Sequence, residues 1–281
     1  MKIADKILSK IDEFQTLPTV YGAMTEVMSN PYSSANDVAD IISSDQAAAA
    51  KILRAANSPI YGFAGSIDTV NKAIMYMGFA EVKNLVAAIS IVDVFSRSKI
   101  GAYFNPVEFW KYSLAVGVIS RFIAQHINAP AVEHYFLSGI LHDIGKLLLY
   151  QCAPTEFAYS LQVAGYRNCS LRATLMETIG VSHNVLGELL AEKWKIPESI
   201  RHVIRHYNAD ISITTDRQLV STVHIAAIVA QMYEWGSASE SIISEPDTYA
   251  WNMLQLDDGF FTAKYNEIEQ NYRDTLLALQ L

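Results

Sequence analysis

The chain has 281 residues, 51% of them hydrophobic and 18% charged, with a formal net charge of −8. That much apolar content excludes intrinsic disorder and allows one large domain or two ordinary ones. The acidic balance argues against broad nucleic-acid binding, in which Lys and Arg must neutralise phosphates.

Helical periodicity runs through the chain, starting with Ile3, Ile7, Leu8, Ile11 and Phe14 at spacings of three and four. That amphipathic helix, over 2–14, should stop at Leu17-Pro18, because proline disfavours helix in the residue before it. A short helix over 19–29 follows and ends at Asn30-Pro31. Ser34-Ala35-Asn36-Asp37 reads as a helix start leading into Val38, Ile41 and Ile42. Ser44-Asp45 can cap a helix over 46–57 that is rich in alanine. Ser58-Pro59-Ile60-Tyr61-Gly62 is a turn, Ser66-Ile67-Asp68 precedes a helix ended by Gly78, and another helix covers 81–95. Asn105-Pro106, after the small-residue stretch Ser96 to Gly101, is the best domain boundary. Beyond it come apolar helices at about 106–127, 131–150, 155–164, 170–178, 182–194, 197–207, 216–235 and 246–280. No segment alternates with period two, so an all-α fold is expected. It should comprise an N-terminal lobe (1–105), a second lobe (106–210) and a C-terminal extension (211–281) packed on the second.

The longest uncharged apolar runs, such as Leu85 to Val92, fall well short of the ~20 residues that span a bilayer. The N-terminus lacks the apolar core of a signal peptide, and Cys152 and Cys169 show no metal-type spacing. A cytoplasmic protein without membrane contact is expected.

The chemistry concentrates at His142-Asp143-Ile144-Gly145-Lys146, set between the apolar runs 135–141 and 147–150. A helix apolar nearly all round is buried, and ionisable groups are costly there unless paired or metal-bound. Adjacent on a helix, and so about 100° apart, His142 and Asp143 can converge on one metal or phosphate. Lys146, one turn after His142, can meet an anion. A buried polar network that only fastens helices is the competing reading. His183, behind the N-cap candidate Ser182, stands at the margin of an apolar face and suits a structural role equally well. His202 and His206 are one turn apart, as in a zinc-binding pair. The stripe Ile200, Val203, Ile204 and Tyr207, however, leaves His202 on the solvated side and lets only His206 turn inward. His126, His134 and His224 carry no supporting pattern. The segment 51–58, Lys51-Ile52-Leu53-Arg54-Ala55-Ala56-Asn57-Ser58, reads as a solvated helix face with a C-cap and turn rather than a phosphate contact.

Several ordered segments resemble an HDOD domain, the HD-related output domain of bacterial signalling proteins. They are Leu17-Pro18-Thr19-Val20, residues 37–45, 51–58 and 73–78, Phe109-Trp110-Lys111-Tyr112-Ser113, residues 139–146, Glu177 with Gly180-Val181-Ser182-His183, and Trp194-Lys195-Ile196-Pro197. The resemblance covers about residues 12–210. It implies an all-helical fold with an N-terminal lobe attached to an HD-like lobe. In catalytic HD phosphohydrolases, histidines and aspartates bind one or two divalent metals that activate water against a phosphoester. By that resemblance His142, Asp143, His183 and His206 are the metal-ligand positions kept. Tyr112, Tyr207 and Ala227 stand where ligands are lost, and the glycine-tyrosine-proline motif of the cyclic-di-GMP-hydrolysing HD-GYP relatives is absent.

Losing a partner behind a ligand already costs about 10–100-fold in metal affinity, so the expectation is a degenerate site. It would hold a Mn, Fe, Ni or Zn ion weakly and need no cofactor. The expected role is a non-catalytic regulatory or scaffold module in bacterial signal transduction. It would act in trans on protein partners, with a nucleotide-like ligand and a homodimer as further expectations. A metal-dependent phosphohydrolase acting on a nucleotide or phosphoester is the alternative.

Overall fold

A computed structural model of the chain describes residues 3–13, 19–30, 32–58, 61–62, 66–96, 101–209 and 211–279. Among them there are helices and no strand. In chain order these are α1 (Ile3–Glu13), α2 (Thr19–Ser29), α3 (Ala35–Ser43), α4 (Gln46–Ala56), α5 (Val70–Met77), α6 (Phe79–Ser96), α7 (Pro106–His126) and α8 (Val132–Leu141). There follow α9 (Ile144–Cys152), α10 (Pro154–Arg167), α11 (Leu171–Thr178), α12 (His183–Lys193) and α13 (Glu198–His206). A 3-10 turn (Ile211–Ile213), α14 (Arg217–Met232), α15 (Thr248–Leu254) and α16 (Phe260–Leu279) complete the chain. The expected stop at Leu17-Pro18, Pro31, the Pro59-Ile60 part of the turn and residues 97–100 of the boundary stretch lie outside the described residues.

The chain divides into two compact units, Met1–Gln15 with Ser98–Phe261, and Thr16–Arg97 with Thr262–Leu281. The division falls differently from the expected boundaries at both ends. Helix α1 joins the unit of the His-Asp segment because Ile7 and Ile11 are buried against α9 and α12. Two lysines fasten it there: Lys10 Nζ donates to Cys152 O and Lys193 Nζ to Ile11 O, each at 2.7 Å. Residues 211–261 belong to the same unit, whereas α16 from Thr262 onward belongs to the other.

The smaller unit packs α2 to α6 around Met24, Ile42, Ile52, Ala73, Val82 and Val86. Ser34 and Asp37 form a reciprocal capping box at the start of α3. Asn57 is a clamp as well as a turn residue. Its amide donates to Ile67 O and accepts from Ile67 N–H, at 2.7 and 2.8 Å. That pair of hydrogen bonds fixes the chain before Thr69 caps α5.

In the larger unit, α7 begins where Asn105 accepts from the Val107 amide at 3.0 Å and Pro106 opens the first turn. The helix is buried over most of its length, and α8 and α14 pack on it. The approach of α8 is possible because Gly117 and Gly139 face each other. A Cβ on Gly139 would lie 2.5 Å from Gly117 Cα.

Two expected helices are broken. The run 131–150 is two helices, with Asp143 at φ −115°, ψ 18° between them. The run 246–280 is likewise interrupted, by Gln255 at φ 50° and the Asp257-Asp258-Gly259 turn. At Asp143 the residues on both sides are apolar, so periodicity alone does not register the break, whereas the polar Asp257-Asp258-Gly259 turn is a local signal that a continuous reading of 246–280 passes over.

Candidate functional site: a packed polar centre

The break between α8 and α9 builds the site. His142 closes α8, Asp143 leaves helical geometry, and α9 resumes at Ile144. Gly145 then lets α9 meet the start of α12. A Cβ there would stand 1.9 Å from His183 O, so only glycine brings His183 this close to Asp143. Ser182 caps α12 by accepting from the Val185 amide at 3.4 Å, which fixes His183 in its first turn. Tyr207, just past α13, arrives from a third direction.

Asp143 is the hub. Its Oδ1 accepts from the Tyr207 hydroxyl at 2.6 Å and lies 3.2 Å from His183 Nε2. Its Oδ2 lies 2.6 Å from Lys146 Nζ and 3.7 Å from His142 Nε2. The same ammonium donates to Glu240 Oε1 at 2.5 Å and to Ala238 O at 3.1 Å. His142 Nδ1 donates to Gly139 O at 2.7 Å, which leaves Nε2 as the acceptor nitrogen, without a protein partner. The ring is boxed by aromatics, with Tyr207 edge-on at 4.7 Å and Tyr112 at 5.5 Å between centroids. His142, Asp143, Lys146 and His183 have no exposed side-chain area.

Burial and pairing set the charges. Burial alone would raise the Asp143 carboxyl, but Lys146, then His142 and His183, hold it well below the usual carboxylate range. Burial would lower Lys146, yet Asp143 and Glu240 keep its ammonium pKa above the ordinary value. Burial lowers His142 and keeps the ring neutral. Both tyrosines are pushed well up, by burial first and the Asp143 charge second, so they stay protonated donors.

The three positions that resemble lost ligands converge here. Tyr112 packs on His142, and its hydroxyl lies 3.5 Å from Ala227 O and accepts from Gln231 Nε2 at 3.4 Å. Tyr207 holds Asp143. His206 does not join them. It lies half-buried on the rim, where burial first, and then Arg205, lower its pKa. His202 lies on the rim, its side chain 28% exposed and its Nδ1 2.5 Å from Asp216 Oδ2.

As a divalent-metal centre this set does not fit. Among the described residues no three His, Cys, Asp or Glu side chains stand together to hold an ion. Asp143 Oδ1 accepts from a hydroxyl and lies beside an imidazole, and Oδ2 is already ion-paired with an ammonium.

Three participants carry no signal in the sequence. Glu240, 94 residues from Lys146, arrives on an irregular segment. Asn208 lies 3.5 Å from His183 Nε2 and accepts from Asn184 Nδ2 at 3.0 Å. His224 is buried rather than ordinary. Its Nδ1 donates to Tyr207 O at 2.8 Å and its Nε2 accepts the Asp247 amide at 2.9 Å, so it holds the tyrosine's backbone in place.

The sequence profile of the HDOD domain matches residues 14–209. The chain belongs to the HDOD family. An HDOD domain protein of unknown function from Geobacter sulfurreducens is 22% identical, with 99% of this chain and 98% of that one covered and a TM-score of 0.80. A protein from Shewanella amazonensis SB2B named "putative phosphohydrolase" is 23% identical, with 98% of each chain covered and a TM-score of 0.74. One from Marinobacter aquaeolei VT8 named "putative signal transduction protein" is 18% identical, over all of this chain and 61% of its own, at a TM-score of 0.70. Likeness at such identity establishes the HD-type helical fold and nothing finer. This HDOD chain spans about half the length (47%) of the curated relative it matches, an uncharacterized protein from Treponema pallidum (strain Nichols) that is 22% identical over 86% of this chain. No helix among the described residues is long and apolar enough to cross a membrane.

Proposed function

We propose that this HDOD protein is a non-catalytic regulatory and scaffold module of bacterial signal transduction, working in the cytoplasm through protein partners. The observation that carries the reading is the state of Asp143: an ammonium, a tyrosine hydroxyl and an imidazole occupy the carboxylate that an HD hydrolase needs for its metal. Such a centre brings its own cation to Asp143. Lys146 supplies the positive charge, and Tyr112 and Tyr207 add aromatic bulk around His142. Its contribution is to hold together the body in which α9 packs on α12 and α8 on α14, and partners would dock on the outside of that body.

The test has two arms. Protein purified without a histidine tag or chelator is analysed for transition metals and assayed on a phosphoester panel that includes cyclic dinucleotides. Sub-stoichiometric metal and no turnover are expected, and a partner captured by the wild type should also be captured by a folded His142→Ala variant. One bound Mn, Fe, Ni or Zn per chain, with turnover abolished by His142→Ala, would establish the phosphohydrolase instead. That second reading is favoured by one feature, the unpartnered and fully buried nitrogens His142 Nε2 and His183 Nδ1.

A further inference from the structure

Residues 233–247, between the end of α14 at Met232 and the start of α15 at Thr248, form a strap of irregular chain. A connection that long in a compact helical body is uncommon and usually has a task. It crosses the polar centre and is tied there at a few points. Ser237 N–H donates to Glu108 O at 2.9 Å, Lys146 Nζ holds both Ala238 O and Glu240, and Asp247 N–H reaches His224. Between the last two ties, residues 243–246 are exposed, Ile243 among them. Gly236, at φ 81°, lets the strap touch α7, where a Cβ would lie 2.3 Å from Tyr112 N. Ser239, beside Glu240, is held at φ 58°, a left-handed conformation that a serine adopts only under constraint.

The charge balance isolates Glu240. Asp143 already neutralises Lys146, and both are fully buried, so a second carboxylate leaves the centre one negative charge in excess. The Glu240 side chain is 17% exposed and is the member of the triad that reaches solvent. An acid in that position behaves as a ligand supplied by the chain itself.

We propose that the strap is a lid latched by the Glu240 carboxylate on Lys146, and that a small molecule bearing a carboxylate or phosphate group opens it by taking the place of Glu240. With a carboxylate the exchange conserves charge, one oxyanion replacing another on the same ammonium, and a phosphate group brings additional negative charge to it. It gives the buried His142 Nε2 acceptor a route to a ligand hydroxyl or amide. The opened strap then presents residues 237–246 as a changed surface to a partner. This rests on the non-catalytic reading in one respect, that the ligand is bound and not cleaved.

Amide hydrogen exchange on the full chain tests it, in chelated buffer at fixed ionic strength, with inorganic phosphate and acetate added separately. Phosphate or acetate should speed exchange of amides 237–246 in the wild type by about tenfold, and the near-isosteric E240Q should exchange that fast without any anion. An effect of phosphate alone assigns a phosphate-bearing ligand, and an effect of acetate alone a carboxylate. Wild-type strap exchange indifferent to both anions overturns the proposal, as does an E240Q protein whose strap exchanges like the wild type. The wild-type titration decides the matter if E240Q does not fold. Inorganic phosphate has no ester to cleave and the chelator removes metal, so a failure here is distinct from the discovery of metal-dependent turnover.

Discussion

Two histidine–aspartate contacts in the same unit share their chemistry and differ in everything around it. His183 Nε2 lies 3.2 Å from Asp143 Oδ1 with both side chains fully buried. His202 Nδ1 lies 2.5 Å from Asp216 Oδ2 with the two side chains 28% and 31% exposed. The buried pair is one edge of a network that also takes in Tyr207, Lys146 and Glu240. The rim pair has Thr215 and Glu198 beside it and water to fall back on. The contrast teaches that burial, rather than the pairing itself, makes a contact indispensable. A group removed from the interior leaves partners that nothing else can satisfy, whereas one removed from the rim is replaced by solvent.

The largest effect should come from Lys146→Met, which keeps most of the volume and removes the charge between Asp143 and Glu240. Breaking a buried pair by deleting one partner costs about 3–5 kcal/mol, read as a lower urea midpoint at unchanged slope. A loss below about 1 kcal/mol would mean that water already reaches Asp143, and the centre would then resemble the rim. Tyr207→Phe comes next. It deletes the hydroxyl that donates to Asp143 at 2.6 Å and leaves the ring against His142. A hydrogen bond to a charged acceptor contributes about 1.5–3 kcal/mol, so a loss of about 2 kcal/mol is expected in the same assay.

Acidification separates the regions without mutation. Burial lowers the pKa of His142 and, first among its causes, that of His224, so both rings stay neutral in the folded chain. The unfolded chain takes up protons below about pH 6.5, where the folded one does not. Stability contributed by these groups is therefore full above that value and declines as the pH falls toward the folded pKa values. A second decline belongs to Asp143, whose depressed folded pKa gives stability that is present above about pH 3.9 and lost on further acidification. Melting temperatures between pH 7.5 and 5 should fall in the wild type and fall less steeply in His224→Gln. An unchanged slope in that variant would place the proton uptake elsewhere.

How far the sequence reaches follows the same divide. Capping and hydrophobic spacing are local, so α1, α2 and α7 begin and end, and α3 begins, within a residue or two of where the sequence puts them. The density of ionisable groups in the run 135–150 identifies His142, Asp143 and Lys146 as a centre because apolar neighbours betray their burial. The break at Asp143 is hidden for the same reason, since residues on both sides are buried whether or not the helix continues. Glu240 and His224 are illegible because their partners lie 94 and 17 residues away, and no local pattern distinguishes a buried acid on a loop from a solvated one. The His202/His206 spacing is legible, and the apolar stripe beside it already argues against a metal pair. In the fold one meets Asp216 and the other lies near Arg205.

The smallest effect should come from His202→Ala, and it sharpens the comparison most. Its contact with Asp216 is the shorter of the two histidine–aspartate pairs, so distance alone would rank it as the stronger. Exposure argues otherwise: screened ion pairs at the surface contribute about 0–1 kcal/mol, and adding salt weakens them further. A urea midpoint lowered by no more than that, with the difference from wild type shrinking between low and high salt, is the expected result. A loss as large as that of Tyr207→Phe, and indifferent to salt, would mean that the end of α13 is held to Asp216 as rigidly as Asp143 is held to its neighbours, and the division between core and rim would disappear.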